Sequence, residues 1–204
     1  MHLSDAIMPF RVRLPRYEHR QSWLPLLLDC YAVIDFSVAE KIKRSEKTVA
    51  CRKGCSTCCE QIIPLSTLEC LGLKFYVQNL LPQKYRGLLL KKFQTRQSMC
   101  LFNMAGSCIV YPFRPIACRR YIVCSQACRI NEDPMTTRPE DVLLPEREFL
   151  YKAIAITLPF YAAQNLYPQE NEPVFDFYKR QTVKLAEIYA EIIPQIPAEN
   201  NADR

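Results

Sequence analysis

The chain has 204 residues, 49% of them hydrophobic, and a formal charge of +6. A chain of this size buries a substantial apolar core without help from disulfides. Its most apolar early stretch, Trp23 to Leu28, falls far short of the roughly 20 residues of a bilayer span, and residues 1–15 carry scattered charges and prolines instead of a basic start and an apolar run. The expectation is a cytoplasmic protein with no membrane span.

Only four glycines occur, and the segments between prolines repeat with helical periodicity. A mostly α fold is expected, a single helical domain over residues 1–198 followed by a disordered tail, 199–204. Ser22 can cap a first helix that tolerates Pro25 in its first turn, with Leu27, Tyr31, Ile34, Val38 and Ile42 on one face, ending before Cys51. Pro64 and Ser66 open a second helix, with Glu69 three residues after Ser66 as a capping box and Leu68, Leu71 and Phe75 inward. Pro82 begins a third that runs to about Gln97, whose Lys84, Arg86, Lys91, Lys92 and Arg96 read as a solvated face.

From Met99 to Leu144 periodicity is lost and prolines and cysteines accumulate. A loop of this length inside a compact domain needs something to fix it, and metal ligation is a sufficient cause. Two helices follow: Phe149, Ala153, Ile156, Phe160 and Ala163 form one stripe, kinked near Pro159, and Phe175, Tyr178, Thr182, Leu185, Ile188 or Tyr189, and Ile192 form another.

Ten of the eleven cysteines fall between Cys51 and Cys128, the core of the domain. In a reducing compartment, thiols at this density point to metal or redox chemistry more than to structural bridges. Residues 51–128 also carry eleven Lys/Arg against two Asp/Glu. Arg52, Lys53, Arg114, Arg119 and Arg120 would balance an anionic thiolate site, which favours that use over nucleic-acid binding. Cys51, Cys55 and Cys58 have the short spacers that place thiolates around one ion, and Gly54 frees the backbone between them. Cys70, inside the second helix, reads as a core residue, and His2 and His19 lie outside the cluster, so the donors are thiolates alone.

Two blocks, CRKGCSTCC at Cys51 to Cys59 and CLFNMAGSCIVYPFRPIACR at Cys100 to Arg119, resemble the zinc- or iron-chelating cysteine-cluster proteins called YkgJ-like. The resemblance implies that Cys51, Cys55, Cys58, Cys59, Cys100, Cys108 and Cys118 include the metal ligands, shaped by Tyr111, Arg114, Pro115 and Arg119. Cys124 and Cys128 lie outside the shared pattern. A more distant likeness is to flagellin lysine N-methylase, which is associated with an iron–sulfur centre and S-adenosylmethionine.

Thiolates alone suit either zinc or a 4Fe-4S cluster. The adjacent Cys58–Cys59 pair and the wide later spacings favour the cluster over zinc. The expected function is metal binding through the cysteine cluster, with an unknown protein partner. The alternative is a cluster-dependent enzyme such as an S-adenosylmethionine-using protein methyltransferase or a redox enzyme.

Overall fold

The computed structural model describes residues 14–52, 54–95 and 100–193, and the protein is mostly α-helical. The 199–204 tail, Lys53, Arg96 and His2 lie outside the described residues. After a single turn, α1 (Pro15–Glu18), the long helix α2 (Trp23–Arg44) forms the spine. Ser22 precedes it, though its side chain makes no cap hydrogen bond. Leu24, Leu27, Leu28, Tyr31, Ile34 and Val38 bury the face that the apolar spacing marks out. Residues three and four apart stack on one side of a helix, and α7 (Arg147–Ala162) packs along α2, with Phe149 against Phe36 and the Glu146 N–H donating to the Ser37 hydroxyl.

The capping box forms as the sequence indicates. In α3 (Thr67–Asn79) the Ser66 hydroxyl accepts from the Glu69 N–H at 3.4 Å, and the Glu69 carboxylate accepts from the Ser66 N–H at 2.8 Å. Gly72 sits where α3 crosses α2, and a Cβ there would meet Leu27 Cδ2 at 2.2 Å. Helix α4 (Gln83–Gln94) follows Pro82.

Two expectations change at the C-terminal end. The buried face of α7 is Ala153, Ile154, Thr157 and Tyr161, rotated from the expected stripe and leaving Ala163 exposed. The last stripe is not one helix: α8 (Val174–Arg180) and α9 (Leu185–Ile192) are separated by a strand, Thr182–Lys184. That strand pairs antiparallel with Pro64–Ser66, Leu65 opposite Val183. β-Branched Thr182 and Val183 suit an extended chain, and the Gln181 C=O and Leu185 N–H leave the helical ladder to bond Thr67 and Ile63.

The segment 99–144 departs furthest from expectation. It does belong to the hydrophobic core: Leu101, Phe102, Val110, Phe113, Ile116 and Ile122 are all buried there. Short hydrogen-bonded pieces supply the rest. Asn103–Met104 and Ser107–Cys108 form a hairpin, α5 (Ile116–Arg119) and α6 (Pro134–Thr137) make one turn each, and Ile122–Val123 pairs with Val142–Leu143. The core and these ladders fix the segment, so its irregularity does not by itself require a metal clamp.

A polar clasp closes this region. The half-exposed Lys47 contacts Asp141 at 3.1 Å, and the buried Arg138 pairs with Glu132 at 2.7 Å and with Asp141 at 3.1 Å. The Arg138 hydrogen bond holds Glu132 down to about 2, and the Ser125 hydroxyl followed by Lys47 does the same for Asp141. Depressed carboxylates stabilise the fold above their ordinary values of 4.5 and 3.8, and that stability is lost as pH falls towards about 2. Thermal unfolding followed across this window is expected to show a steep fall in midpoint, and Arg138→Gln should flatten it.

Candidate metal centre

Three fasteners bring distant cysteine segments together. The hairpin turn Ala105–Gly106 has positive φ at both residues, the two-residue geometry that glycine favours, and Gly106 lies against Gly54 so closely that a Cβ would meet the Gly54 carbonyl at 2.9 Å. This contact seats the hairpin carrying Cys108 on the loop between Cys51 and Cys55. Second, the Cys100 N–H donates to the Cys59 carbonyl at 3.1 Å. Third, the Ala50 N–H donates to the Val123 carbonyl at 2.9 Å, and the Val123 N–H donates to Cys51 Sγ at 3.2 Å.

The seven expected residues fall into two overlapping groups. Cys58, Cys59, Cys100, Cys108 and Cys118 act on one another's ionisation. Cys51 lies in the field of Cys55, Cys58 and Cys128, and Cys128 in that of Cys55 and Cys58. Cys128, outside the shared sequence pattern, thus joins the first burst, whereas Cys124 is buried beside Val49 and belongs to the core. Cys70 is partly buried and packs against the core, and Cys30 is fully buried on α2.

Within the larger group, Cys59 is the donor and its own thiol is pushed up. Cys100 is held down to about 6, first by the Cys59 S–H, then, against the cost of burial, by the Tyr189 hydroxyl, the Phe102 N–H and Lys92. Cys58 is lowered to about 7 by the same S–H, with Arg114 adding its charge. A thiol has one proton to donate, so Cys59 serves one neighbour at a time, and Cys100, with Tyr189, the Phe102 N–H and Lys92 as further partners, is the better placed of the two to carry the charge. Burial pushes Cys108 up to about 12, Cys51 up to about 11, and Cys118 upward.

The cations sort differently from the sequence expectation. Arg114 lies over the Tyr111 ring at 4.0 Å and favours the charged forms of Cys58, Cys108 and Cys118, while its Nε is buried without a hydrogen-bond partner. Arg119 is committed to an ion pair of its own: it is fully buried, 2.6 Å from Asp35, with its guanidinium 3.8 Å from the centre of the Tyr31 ring. Arg52 is exposed, and Arg120 lines a small cleft beside Cys58 and Cys118. Lys92 is not merely part of a wet helix face, because its Nζ donates to the carbonyls of Cys100 at 3.2 Å and Asn103 at 2.6 Å.

Tyr189 was hidden in the sequence as one position of an apolar stripe. Its hydroxyl donates to Cys100 Sγ at 3.4 Å and accepts from the Leu101 N–H at 3.2 Å. Two clefts flank the thiols on either side of Gln61–Ile63: one of about 420 Å³ reaching Cys59, Cys100 and Tyr189, the other of about 180 Å³ reaching Cys58 and Cys118.

Among the described residues, no three His, Cys, Asp or Glu side chains are so disposed as to hold a metal ion together. Metal ligation removes thiol protons and draws the thiolates around a cation. The donor chemistry fits a thiophilic centre: thiols from three chain segments beside one guanidinium, with His19 exposed at the end of α1. Comparison with known proteins finds no matching family model, curated protein or solved structure. No described helix is long and apolar enough to cross a membrane.

Proposed function

We propose that this protein binds an iron–sulfur cluster or zinc through thiolates drawn from Cys51, Cys55, Cys58, Cys59, Cys100, Cys108 and Cys118. The observation that carries the reading is the gathering of Cys58, Cys59, Cys100, Cys108 and Cys118 from three chain segments beside Arg114. The resemblance to the YkgJ-like chelating proteins supports it. Cys100 would bind first as the ready thiolate, and the buried thiols of Cys108 and Cys118 would release protons on ligation, with Arg114 offsetting the negative charge. A tetrathiolate centre would join segments that the fold already holds side by side.

Elemental analysis and an absorption spectrum of protein purified without oxygen test the proposal. About four irons with sulfide and a broad band near roughly 400 nm are expected for a cubane cluster, and one or two zincs without colour for the zinc form. Cys108→Ser and Cys118→Ser should each lower bound metal and make residues 99–144 more sensitive to protease, whereas Cys30→Ala, within the core, should leave metal content unchanged. Equal metal in all three variants would sink the assignment.

The larger cleft beside Cys59 and Cys100 favours a second reading, an enzyme that uses the centre, such as an S-adenosylmethionine-dependent methyltransferase or a redox enzyme. Binding of S-adenosylmethionine to the anaerobic protein separates the two, and its repeated absence favours binding without methyl transfer.

A further inference from the structure

The larger cleft is lined by two cysteines whose segments are joined to each other: the Cys100 N–H donates to the Cys59 carbonyl at 3.1 Å, and both residues border the same cleft. Cys58 and Cys118 open instead on the smaller cleft. Ile62, Ile63, Phe93, Leu101 and Leu185 make much of the larger cleft apolar, and its volume of about 420 Å³ suits a small molecule. Its charged lining, Glu60 and Lys184, is of opposite sign, and Lys184 already contacts Glu187 at 3.4 Å.

We propose that this cleft binds an uncharged organic compound of trivalent arsenic, the arsenic bridging Cys59 and Cys100 and its organic substituent lying on the apolar wall. Trivalent arsenic forms three bonds. Inorganic arsenite is satisfied by three thiolates, and this cleft is lined by two, Cys59 and Cys100. A mono-substituted arsenical needs two thiols and a surface for its third substituent, which is what this cleft presents. In the reaction R–As(OH)₂ plus two thiols, two As–S bonds form and two As–O bonds break. Each thiol proton leaves with a hydroxyl as water, and arsenic stays trivalent, so no oxidant or reductant takes part. The inference does not depend on the metal reading, because it concerns the metal-free, reduced chain.

The test titrates that full-length chain with phenylarsine oxide and with inorganic arsenite and maps the adduct by peptide mass spectrometry. One phenylarsenic is expected per chain, linking the peptides that carry Cys59 and Cys100. Its affinity should exceed that of arsenite at least tenfold, about 1.4 kcal/mol. Ala186 lines the cleft and is exposed, so Ala186→Trp fills the space without burdening the core. It should weaken phenylarsine oxide at least tenfold and arsenite less than twofold. An adduct on other cysteines, equal affinity for the two compounds, or unchanged phenylarsine oxide binding in Ala186→Trp would each overturn the proposal. Lack of bound iron or zinc in the purified protein would bear on the metal reading and leave this result unaffected.

Discussion

Arg119→Met is expected to lower the free energy of unfolding by about 3–5 kcal/mol, read from urea denaturation, because it strands a buried carboxylate. The guanidinium is fully enclosed, 2.6 Å from Asp35, and its Nε donates to the Arg114 carbonyl at 3.0 Å while Nη2 donates to that of Pro112. Removing it leaves Asp35 and two carbonyls without their donor. The double change Asp35→Leu with Arg119→Met should recover part of the loss, since exchanging a whole buried pair for apolar groups is much less costly than breaking it. A loss below about 1 kcal/mol in the single variant would show that water or another donor reaches Asp35. Arg119 follows Cys118 directly and is bonded back to the turn before α5, so the same variant should also expose Cys118 to thiol reagents.

Glu69→Ala should cost about 3 kcal/mol or more, because it leaves several buried donors without an acceptor. One carboxylate oxygen accepts from the Ile116 N–H at 2.6 Å. The other accepts from the Ser66 N–H at 2.8 Å, the Ser66 hydroxyl at 2.9 Å and the Tyr178 hydroxyl at 2.7 Å. This one side chain ties the start of α3 to the start of α5 and to α8. Tyr178→Phe removes a single donor and should cost about 1 kcal/mol, and less than that once Glu69 is already alanine. Equal costs of Tyr178→Phe in both backgrounds would show that the hydroxyl does not act through Glu69. Chemical denaturation of the four proteins in this cycle gives the answer.

Both predictions concern residues whose local sequence shows only half of their role. Glu69 is recognisable three residues after Ser66 as a capping residue, because a capping box is a local pattern. Its bonds to Ile116 and Tyr178 span 47 and 109 residues, and no spacing rule reaches that far. Arg119 sits among cysteines and invites a role in balancing their charge, yet it turns inward to Asp35, 84 residues earlier. Arg114, only five residues before it, is the guanidinium that faces the thiols.

The sequence by itself determined the helical character, the apolar face of α2, the capping of α3 and the crowding of thiols between Cys51 and Cys128, since each follows from short-range periodicity, local hydrogen bonding or composition. Only the tertiary structure decided that Thr182–Lys184 leaves the helical pattern to pair with Pro64–Ser66, that Cys128 joins Cys51 and Cys55, and that Tyr189 and Lys92 reach Cys100. The physical reason is the same in each case: a side chain's partner is chosen by the packing of distant segments, and an extended piece wins over a helical one where its backbone finds a neighbouring strand.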